Sequence, residues 1–257
     1  MALIVQKYGG TSVGDLDRIR NVARRVAKTY DQGNQVVVIL SAMSGVTDSL
    51  IQTAQQITDF PDKRKWTCSL PPAGANHRGP DGHDPEIHGI QGKIPARIPG
   101  GNSYGQPILR RRILDIKATR LKELLADNYI VIVAGFQGCD ADGDITTLGR
   151  GGSDTSAVAV ASASGRIQCE IYTDVDGVYT ADPNICKKAR KLDRISYEEM
   201  LEMASLGAKV LQIRSVEFAM KYNVPIHVRS SFNEEVGTMV VNEDANMEKV
   251  VVFRGHP

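Results

Sequence analysis

Hydrophobic positions along the chain follow two alternating periods. Short runs of consecutive apolar residues, typical of strands buried on both faces, alternate with longer stretches in which apolar residues recur every three or four positions, as on one face of a helix. The predicted strands are Ala2–Gln6, Gln35–Leu40, Tyr129–Ala134, Gln168–Thr173, Pro225–Arg229 and Thr238–Val241. The predicted helices are Asp15–Tyr30, Asp48–Thr58, Arg112–Asp127, Ser153–Ala163, Tyr197–Ala204 and Lys209–Tyr222. This alternation predicts an α/β fold with a mostly parallel sheet covered on both faces.

Residues 65–107 follow neither period. These 43 positions hold seven of the 11 prolines, eight glycines and the only tryptophan, Trp66. Such a composition cannot supply a periodic apolar face, so the segment is predicted to be loop or disordered. A structureless loop of this length inside a compact domain is itself unusual.

Composition and charge exclude several classes of protein. The 31 basic and 30 acidic residues leave a net charge of +1, so no overall positive field attracts nucleic acid or anionic lipid. The longest apolar run, Val36–Leu40, is far shorter than the ~20 residues of a membrane span, and the N-terminus has no signal-peptide pattern. The four cysteines form no Cys-x-x-Cys pair and are interpreted as reduced thiols. We therefore expect a cytoplasmic protein without a nucleic-acid or membrane partner.

A glycine-rich turn follows the first predicted strand, in the sequence Lys7-Tyr-Gly-Gly-Thr-Ser. Adjacent glycines allow backbone N–H groups to approach an anion, and Lys7, at the exposed end of a strand, offers a point charge for phosphate. The spacing matches neither a Walker A loop nor the dinucleotide-binding Gly-x-Gly-x-x-Gly motif. The alternative is a tight glycine turn with a solvated lysine.

Two further polar segments also follow predicted strands. They are Ser41–Thr47 and Thr173–Pro183. In open α/β sheets ligands bind at the carboxyl ends of the strands, where both segments lie. The hydroxyl, acidic and tyrosine side chains of the second segment suit the base and ribose of a nucleotide. The alternatives are a Ser/Thr-rich helix cap and an Asx-type loop.

A second glycine-rich turn, Gly149-Arg-Gly-Gly-Ser-Asp, leads into a helix of small residues. The guanidinium of Arg150 can form paired hydrogen bonds with a carboxylate or a phosphate. A helix-capping turn alone needs neither the arginine nor three glycines, so a functional site is favoured here. Neither the acidic run Asp140–Asp144 nor the scattered Cys and His residues have the spacing of a calcium or zinc site, so no metal-ligating residues are predicted.

Taken together and in this order, the motifs resemble those of the aspartokinases in the amino acid kinase superfamily. The segments that carry the resemblance are Lys7–Ser12, Leu40–Thr47, Gly149–Asp154, Thr173–Pro183 and Gly207–Leu211, and it extends over residues 1–64 and 110–252. It implies a three-layer αβα sandwich and transfer of the ATP γ-phosphate to the side-chain carboxylate of L-aspartate, giving 4-phospho-L-aspartate. That reaction is the first step toward lysine, threonine and methionine. The implied cofactors are ATP and Mg²⁺, the latter held mainly by phosphates and water, and the intact protein would be a homo-oligomer.

The resemblance also implies roles for individual residues. Lys7 would neutralise the transferring phosphoryl group, Asp154 would orient that lysine, and the N–H groups of Gly9 and Gly10 would bind phosphate. The ATP site would comprise Lys7, Tyr8, Gly9, Gly10, Ser41, Thr173, Asp174, Tyr179 and Lys209. The aspartate site would comprise Ser41, Thr47, Phe136, Arg150, Gly151, Gly152 and Ser153, with Arg150 on the α-carboxylate.

The resemblance fails over residues 65 to about 105. Here the family has a helix beginning Glu-Met-Asp-Met, whose second glutamate contacts the substrate amine, whereas this chain reads Lys65-Trp-Thr-Cys. The codons CGG GAA ATG GAC ATG encode Arg-Glu-Met-Asp-Met. Deletion of one G, with a C from the following leucine codon, gives CGG AAA TGG ACA TGC, which encodes the Arg-Lys-Trp-Thr-Cys found at residues 64–68. We therefore hypothesise a frameshifted translation over residues 65–105, which would leave the chain as written poorly active. The alternative is a divergent insertion.

Residues 1–257 are interpreted as one catalytic domain. The chain stops near the point at which the family's regulatory ligand-binding domains begin, so we expect those domains to be absent. Two other functions stay open. One is a different amino acid kinase that acts on a carboxylate, a carbamate or a nucleoside monophosphate, and the other is a non-catalytic nucleotide-binding remnant.

Overall fold

The computed structural model describes residues 2–57, 92–93, 113, 118–139, 145–149, 151–165, 167–244 and 247. The strands are β1 Leu3–Tyr8, β2 Gln35–Leu40, β3 Gly92–Lys93, β4 Ile130–Ala134, β5 Gln137–Cys139, β6 Ile145–Thr147, β7 Ile167–Thr173, β8 Arg194–Ser196, β9 Ile226–Ser230 and β10 Thr238–Val241. The helices are α1 Leu16–Asp31, α2 Val46–Ile57, α3 Thr119–Ala126, α4 Gly152–Ser164, α5 Tyr197–Ser205 and α6 Ile213–Tyr222. A single turn of 3₁₀ helix, Gly10–Val13, follows β1.

The main sheet has the strand order β3-β4-β2-β1-β7-β9-β10-β8, and β5 and β6 form a separate antiparallel pair. Among the described strands of the main sheet, only the β9–β10 pairing is antiparallel. The central strand β1 is in register with both neighbours, because Tyr8 lies opposite Leu40 of β2 and Tyr172 of β7. The carboxyl ends of β1, β2, β4 and β7 therefore meet at one edge, and the predicted mostly parallel sheet is confirmed.

Helices cover both faces of this sheet. On one face, alternate strand residues such as Val5 and Ile171 pack in a single apolar cluster with residues of α3 to α6. On the other face, Tyr8 and Val38 pack against Val22 of α1. The predicted three-layer αβα sandwich is confirmed. Since Val5 and Tyr8 differ by an odd number of positions, they point to opposite faces, and the side chain of Lys7 lies on the same face as Val5.

Local capping explains where two of the helices begin. As predicted, Asp15 is the N-cap of α1, and its carboxylate accepts a hydrogen bond from the Arg18 N–H (2.9 Å). The predicted helix Lys209–Tyr222 instead begins at Ile213, because the Gln212 side chain accepts hydrogen bonds from the N–H groups of Arg214 (2.7 Å) and Ser215 (3.3 Å). The start predicted at Lys209 is therefore wrong by one helical turn.

Some predictions fall on parts of the chain that are not described. The predicted helix Arg112–Asp127 is confirmed over Thr119–Ala126. The anomalous segment 65–107 lies outside the described residues except for Gly92–Lys93, which form β3 and pair with β4 although a loop was predicted there. Strands β5, β6 and β8 were not predicted, since three residues are too few to show a period. None of the helices in the described part of the chain is both long and apolar enough to cross a membrane.

Two glycines with the same backbone conformation provide a test of this packing. Gly237 and Gly33 both have φ +82°, but a Cβ on Gly237 would overlap the carbonyl oxygen of Val228, whereas nothing lies within 4 Å of one on Gly33. Alanine in the left-handed region costs roughly 1–2 kcal/mol at either site, and forced overlap adds about 1–3 kcal/mol at Gly237. We expect Gly237→Ala to lower the free energy of unfolding clearly more than Gly33→Ala in urea denaturation. Equal losses of unfolding free energy in the two variants would contradict the close approach of Gly237, just before β10, to Val228 of β9.

Candidate active site

Lys7 lies at the centre of the carboxyl edge and is paired with an acid. Its Nζ is 2.7 Å from Oδ1 of Asp154, and the two side chains are only 11% and 10% exposed. The expectation of an exposed strand-end lysine is therefore wrong. The error has a simple cause, since Lys7 is near the end of β1 in sequence but α4 covers this position in the fold. The predicted proximity of Lys7 and Asp154 agrees with this geometry.

The second carboxylate oxygen of Asp154 is also held. Oδ2 accepts a hydrogen bond from the backbone N–H of Gln212 (3.3 Å), just before α6. Asp154 itself lies in the first turn of α4, where the helix dipole stabilises a negative charge. The carboxylate is thus held by the Lys7 ammonium group and the Gln212 N–H, and the helix dipole favours its charge. Asp154 in turn holds the ammonium group of Lys7 in place.

The first glycine-rich turn surrounds the same ammonium group. A Cβ built on Gly9 would lie 3.5 Å from Lys7 Nζ and 4.0 Å from Ser12 Oγ. Ser12 is buried, and within the described residues its hydroxyl has no hydrogen-bond partner. The N–H of Gly9 already donates to the carbonyl of Tyr172 (3.3 Å), so of the two predicted phosphate-binding amides only that of Gly10, at the start of the 3₁₀ turn, is placed to donate elsewhere. Sequence reasoning missed Ser12, although its hydroxyl belongs to the motif.

The loop after β2 presses directly against this turn. A Cβ on Gly10 would lie 2.6 Å from the carbonyl oxygen of Ala42, and the Ser44 N–H donates to the Gly10 carbonyl (3.2 Å). The Ser41 N–H donates to the carbonyl of Tyr8 (3.1 Å), which ties this loop to the end of β1. Thr47 follows in the first turn of α2. The structure therefore brings the first two predicted motifs together.

The second glycine-rich turn joins the same edge from α4. Ser153 meets the end of β4, because a Cβ on Gly135 would lie 2.9 Å from Ser153 Oγ. The N–H of Gly135 donates to the carbonyl of Leu40 at the end of β2 (2.9 Å). Gly151, with φ +71°, precedes α4, and Gly152 is its first residue. Arg150, predicted to bind the α-carboxylate, lies outside the described residues.

Phe136 adopts an unusual backbone conformation beside this turn. Its φ is +72°, which is rare for a residue other than glycine. The conformation is maintained by two hydrogen bonds, because the Phe136 N–H donates to Ser156 Oγ (3.2 Å) and its carbonyl accepts from the Leu148 N–H (2.9 Å). Strained backbone of this kind occurs preferentially at functional sites. Phe136, predicted to line the aspartate site, therefore lies beside Leu148 at the start of the second glycine-rich turn.

The predicted nucleotide-binding residues lie on the other side of Lys7, beyond the end of β7. Thr173 ends that strand, and its hydroxyl donates to Oδ1 of Asp174 (3.1 Å). The hydroxyl of Tyr179 donates to the carboxylate of Asp176 (3.0 Å), and burial and this hydrogen bond raise its pKa. Lys209 is exposed in the loop from α5 to α6, three residues before Gln212.

Tyr8 differs from the other predicted binding residues. Its side chain is fully buried on the opposite face of the sheet, where the ring stacks on that of Tyr172 with centroids 4.7 Å apart. Its hydroxyl donates to Oε1 of Gln6 (3.2 Å), and burial raises its pKa far above the ordinary value. The phenol of Tyr8 is therefore removed from the carboxyl edge, and only its backbone borders the site.

A buried polar network supports the two tyrosines. Glu170 accepts hydrogen bonds from the side-chain amide of Gln6 (2.8 Å) and the hydroxyl of Tyr172 (3.1 Å), and it pairs with Arg229 (3.4 Å). The guanidinium groups of Arg25 and Arg229 lie 5.5 and 5.6 Å from the centre of the Tyr172 ring. The Nε atoms of Arg25 and Arg229 have no hydrogen-bond partner among the described residues, so the network is only partly satisfied. Its contacts link β7, and with it the Tyr172 carbonyl that binds the Gly9 N–H, to β1 and β9.

No cluster of three or more His, Cys, Asp or Glu side chains able to hold a metal lies within the described residues. Cys169, on the face of β7 nearer Asp154, has its pKa raised by burial and by the charges of Asp154 and Glu170. A raised pKa disfavours the thiolate, which is the nucleophilic form of cysteine. The reactive groups of the edge are the ion pair, the hydroxyls and the backbone amides.

Comparison with known proteins agrees with this geometry. An aspartate kinase from Pseudomonas putida is 48% identical over 263 residues, which cover 98% of this chain and 62% of that protein. An aspartokinase from Mycolicibacterium smegmatis is 48% identical over 255 residues, covering 98% and 61%. The chain thus spans about three-fifths of the length of these curated relatives. The resemblance to aspartokinases predicted from the motifs is confirmed.

Solved structures give the same result. The aspartate kinase from Synechocystis superposes with a TM-score of 0.73 at 40% identity, covering 97% of this chain and 41% of that one. Escherichia coli aspartokinase III in complex with aspartate and ADP superposes with a TM-score of 0.71 at 25% identity, covering 95% and 65%. A UMP kinase from Bacillus anthracis, 17% identical with a TM-score of 0.57 and covering 96% and 98%, shares the fold.

The sequence profile of the amino acid kinase family matches residues 2–73 and 86–230. The match therefore extends into both ends of the anomalous segment, where the resemblance was expected to fail, and omits only residues 74–85 of it. The matched ranges include the Lys7–Asp154 pair, both glycine-rich turns and the end of β7. This chain therefore belongs to the amino acid kinase family.

Proposed function

We propose that this chain is the catalytic domain of an aspartate kinase, which transfers the γ-phosphate of ATP to the side-chain carboxylate of L-aspartate and forms 4-phospho-L-aspartate. The observation that carries the proposal is the buried Lys7–Asp154 ion pair beside two glycine-rich turns at the carboxyl edge. The curated relatives named aspartate kinase, and the E. coli relative crystallised with aspartate and ADP, support the choice of acceptor and nucleotide. The same resemblance favours a homo-oligomer in the cytoplasm and a place at the start of lysine, threonine and methionine synthesis.

The residues around Lys7 fit a triphosphate. The ammonium group of Lys7 and the unpartnered, buried hydroxyl of Ser12 lie 3.5 and 4.0 Å from a Cβ position built on Gly9, and both are donors. The N–H of the next residue, Gly10, would supply a third donor. ATP supplies the phosphoryl group, and Mg²⁺ would be held mainly by its phosphates and by water. Thr173, Asp174, Tyr179 and Lys209 would contact the base and ribose, while Tyr8 would contribute only backbone.

Lys7 performs the main electrostatic task. Phosphoryl transfer depends on neutralising negative charge and on aligning donor and acceptor, not on a covalent intermediate. Asp154 holds the ammonium group of Lys7 in a fixed position, so little reorganisation is required as charge develops in the transition state. The acceptor is a carboxylate with an ordinary pKa of about 3.9 and is already ionised at neutral pH, so no general base is needed.

The acceptor would bind on the α4 side of the ion pair. Ser153 and Phe136 border that space, with Ser41 and Thr47 on the β2 side. Gly151 and Gly152 permit the backbone of the turn to approach, and Arg150 would form paired hydrogen bonds with the α-carboxylate of aspartate.

We further propose that residues 65–105 are a frameshifted translation that has replaced the helix carrying the glutamate for the substrate amine. The codon arithmetic at residues 64–68 supports this. Reading the coding DNA across codons 60–112 tests it directly. An in-frame gene with no compensating insertions or deletions relative to aspartokinase genes would identify the segment as a true insertion.

The first activity experiment separates the acceptor from the frameshift. With ATP and hydroxylamine, a variant with the reading frame restored through residues 65–105 should form hydroxamate from L-aspartate much faster than the chain as written, because it regains the amine-binding glutamate. Free L-glutamate, offered as the acceptor in place of L-aspartate, is the matched control. UMP is tested as an alternative acceptor by measuring the release of ADP. Phosphorylation of UMP but not of aspartate by the restored protein would refute an aspartate kinase. Full activity of the chain as written would refute the frameshift.

A second experiment separates the chemistry of Lys7 from its contribution to stability. Lys7→Met leaves the Asp154 carboxylate buried without its cation, so we expect destabilisation by about 3–5 kcal/mol in urea denaturation. The double variant Lys7→Met/Asp154→Asn removes both charges and should recover most of that loss. Turnover of the restored protein should fall at least about a hundredfold in both variants. Recovery of turnover in the double variant would remove Lys7 from the mechanism.

A third experiment compares Gly10, the first residue of the 3₁₀ turn, with Gly14, which follows the turn. An alanine methyl at Gly10 would lie 2.6 Å from the Ala42 carbonyl and push the two loops apart, whereas at Gly14 its nearest contacts, with Arg18 and the Thr11 carbonyl, are an ordinary 3.5 Å. We expect Gly10→Ala to lower turnover about tenfold or more through misplacement of the phosphate-binding turn. Gly14→Ala should behave like the parent enzyme. Equal kinetics for the two variants would exclude the turn from substrate binding.

A further inference from the structure

Helix α6 reaches the candidate site through its first residues, although no sequence motif marks it. The Nη2 of Arg214 donates a hydrogen bond to the carbonyl of Leu148 (2.6 Å), at the start of the second glycine-rich turn. Two residues earlier, the N–H of Gln212 donates to Oδ2 of Asp154 (3.3 Å). We refer to Gln212 and Arg214 together as the α6 clasp.

The side chain of Gln212 reinforces both contacts. Its Oε1 accepts hydrogen bonds from the N–H groups of Arg214 and Ser215, which fixes the beginning of α6. Its aliphatic part lies so close to Gly151 that a Cβ there would overlap Gln212 Cγ. Gly151 also has φ +71°, so a side chain at this position is excluded by both conformation and space.

The opposite side of the turn is held by β4 and the residues that follow it. The N–H of Leu148 donates to the carbonyl of Phe136, and a Cβ on Gly152 would lie 2.7 Å from that of Leu148. Leu148 therefore lies between Phe136 on one side and Arg214 on the other. The turn that precedes Asp154 has its position fixed from two elements that are distant in sequence.

We propose that Arg214 and Gln212 are positioning residues that align the second glycine-rich turn with Asp154, and that they thereby determine the affinity of the site for its amino-acid acceptor. The inference rests on the proposed function for the identity of that acceptor. Arg214 touches neither substrate nor phosphate in this scheme; it acts through the Leu148 carbonyl on the turn that contains Arg150 and leads to Ser153. The nucleotide side of the site, beyond β7, has no such contact with Arg214 among the described residues.

Amide hydrogen exchange on the chain as it exists tests the clasp without requiring activity. Arg214→Met removes the hydrogen bond and keeps a long apolar side chain. It should speed exchange at the hydrogen-bonded amides of Leu148, Gly152 and Asp154 by about tenfold, while exchange in β4 stays unchanged, because only the local opening energy falls. Arg214→Lys retains a hydrogen-bond donor, so its exchange rates at these amides should lie between those of the parent and those of Arg214→Met. Arg20→Met, the same substitution at an exposed arginine of α1, is the matched control.

Kinetics of the frame-restored protein supply the second readout. Arg214→Met should raise the KM for the acceptor about tenfold or more and leave the KM for ATP within about twofold, with partial recovery in Arg214→Lys. Unchanged exchange at the three amides, or equal changes in both KM values, would overturn the proposal. If Arg214→Met does not fold, exchange in Arg214→Lys equal to that of the parent would overturn it as well. If the acceptor is not aspartate, the proposed function is wrong, but the exchange experiment still tests whether the α6 clasp positions the second glycine-rich turn.

Discussion

Folding buries the side chains of Lys7 and Asp154 as an ion pair, and neither charge would be stable in that position without the other. Burial of an ion is tolerated only where its partner and the remaining hydrogen bonds are already in place. That requirement explains much of the surrounding geometry. The Gln212 N–H satisfies the second oxygen of Asp154, and the first turn of α4 favours its charge. The ammonium of Lys7 is therefore held at the edge by a structure that exists before any substrate binds, which is the preorganisation that the proposed phosphoryl transfer needs.

Small residues make the convergence of so many segments possible. Two loops and two turns approach within van der Waals contact at Gly10, Gly135 and Gly151, where any added carbon would meet a neighbouring atom. Helix α4 packs between the sheet and α6 and is buried over Gly152–Ala161, which is why its sequence shows no polar face. At this edge, close contacts between backbone segments take the place of contacts between large apolar side chains. As a result, the polar atoms of the two loops and the two turns lie close to one another.

Prediction from the sequence succeeded where the signal is local. The runs of apolar residues locate β1, β2, β4, β7 and β9, and the parallel arrangement then places the motifs at a common edge. It failed where the deciding contact lies far away in sequence. The sequence around Lys7 does not show that it is buried, because its partner Asp154 lies more than a hundred residues further along the chain. The predicted start of α6 is wrong because the residues Lys209–Leu211 do not indicate that Gln212 is the N-cap. Ser12 belongs to the first glycine-rich motif, but only the structure shows that its buried hydroxyl lacks a hydrogen-bond partner. Arg214 lies in no motif, since its role depends on a carbonyl that is distant in sequence.

The position of β1 in the middle of the sheet has a consequence for how the chain folds. Strand β1 is synthesised before β2 and β7, and it can pair with β2 early. Its other edge is completed only by β7, as shown by the Gln6–Glu170 contact across 164 residues. Closing such a loop is slow, so the open edge of β1 stays exposed while the chain between them is synthesised. An unpaired apolar edge is a template for pairing with other chains. Any error in the intervening segment that delays β7 therefore prolongs the period in which a nascent chain is most prone to aggregate.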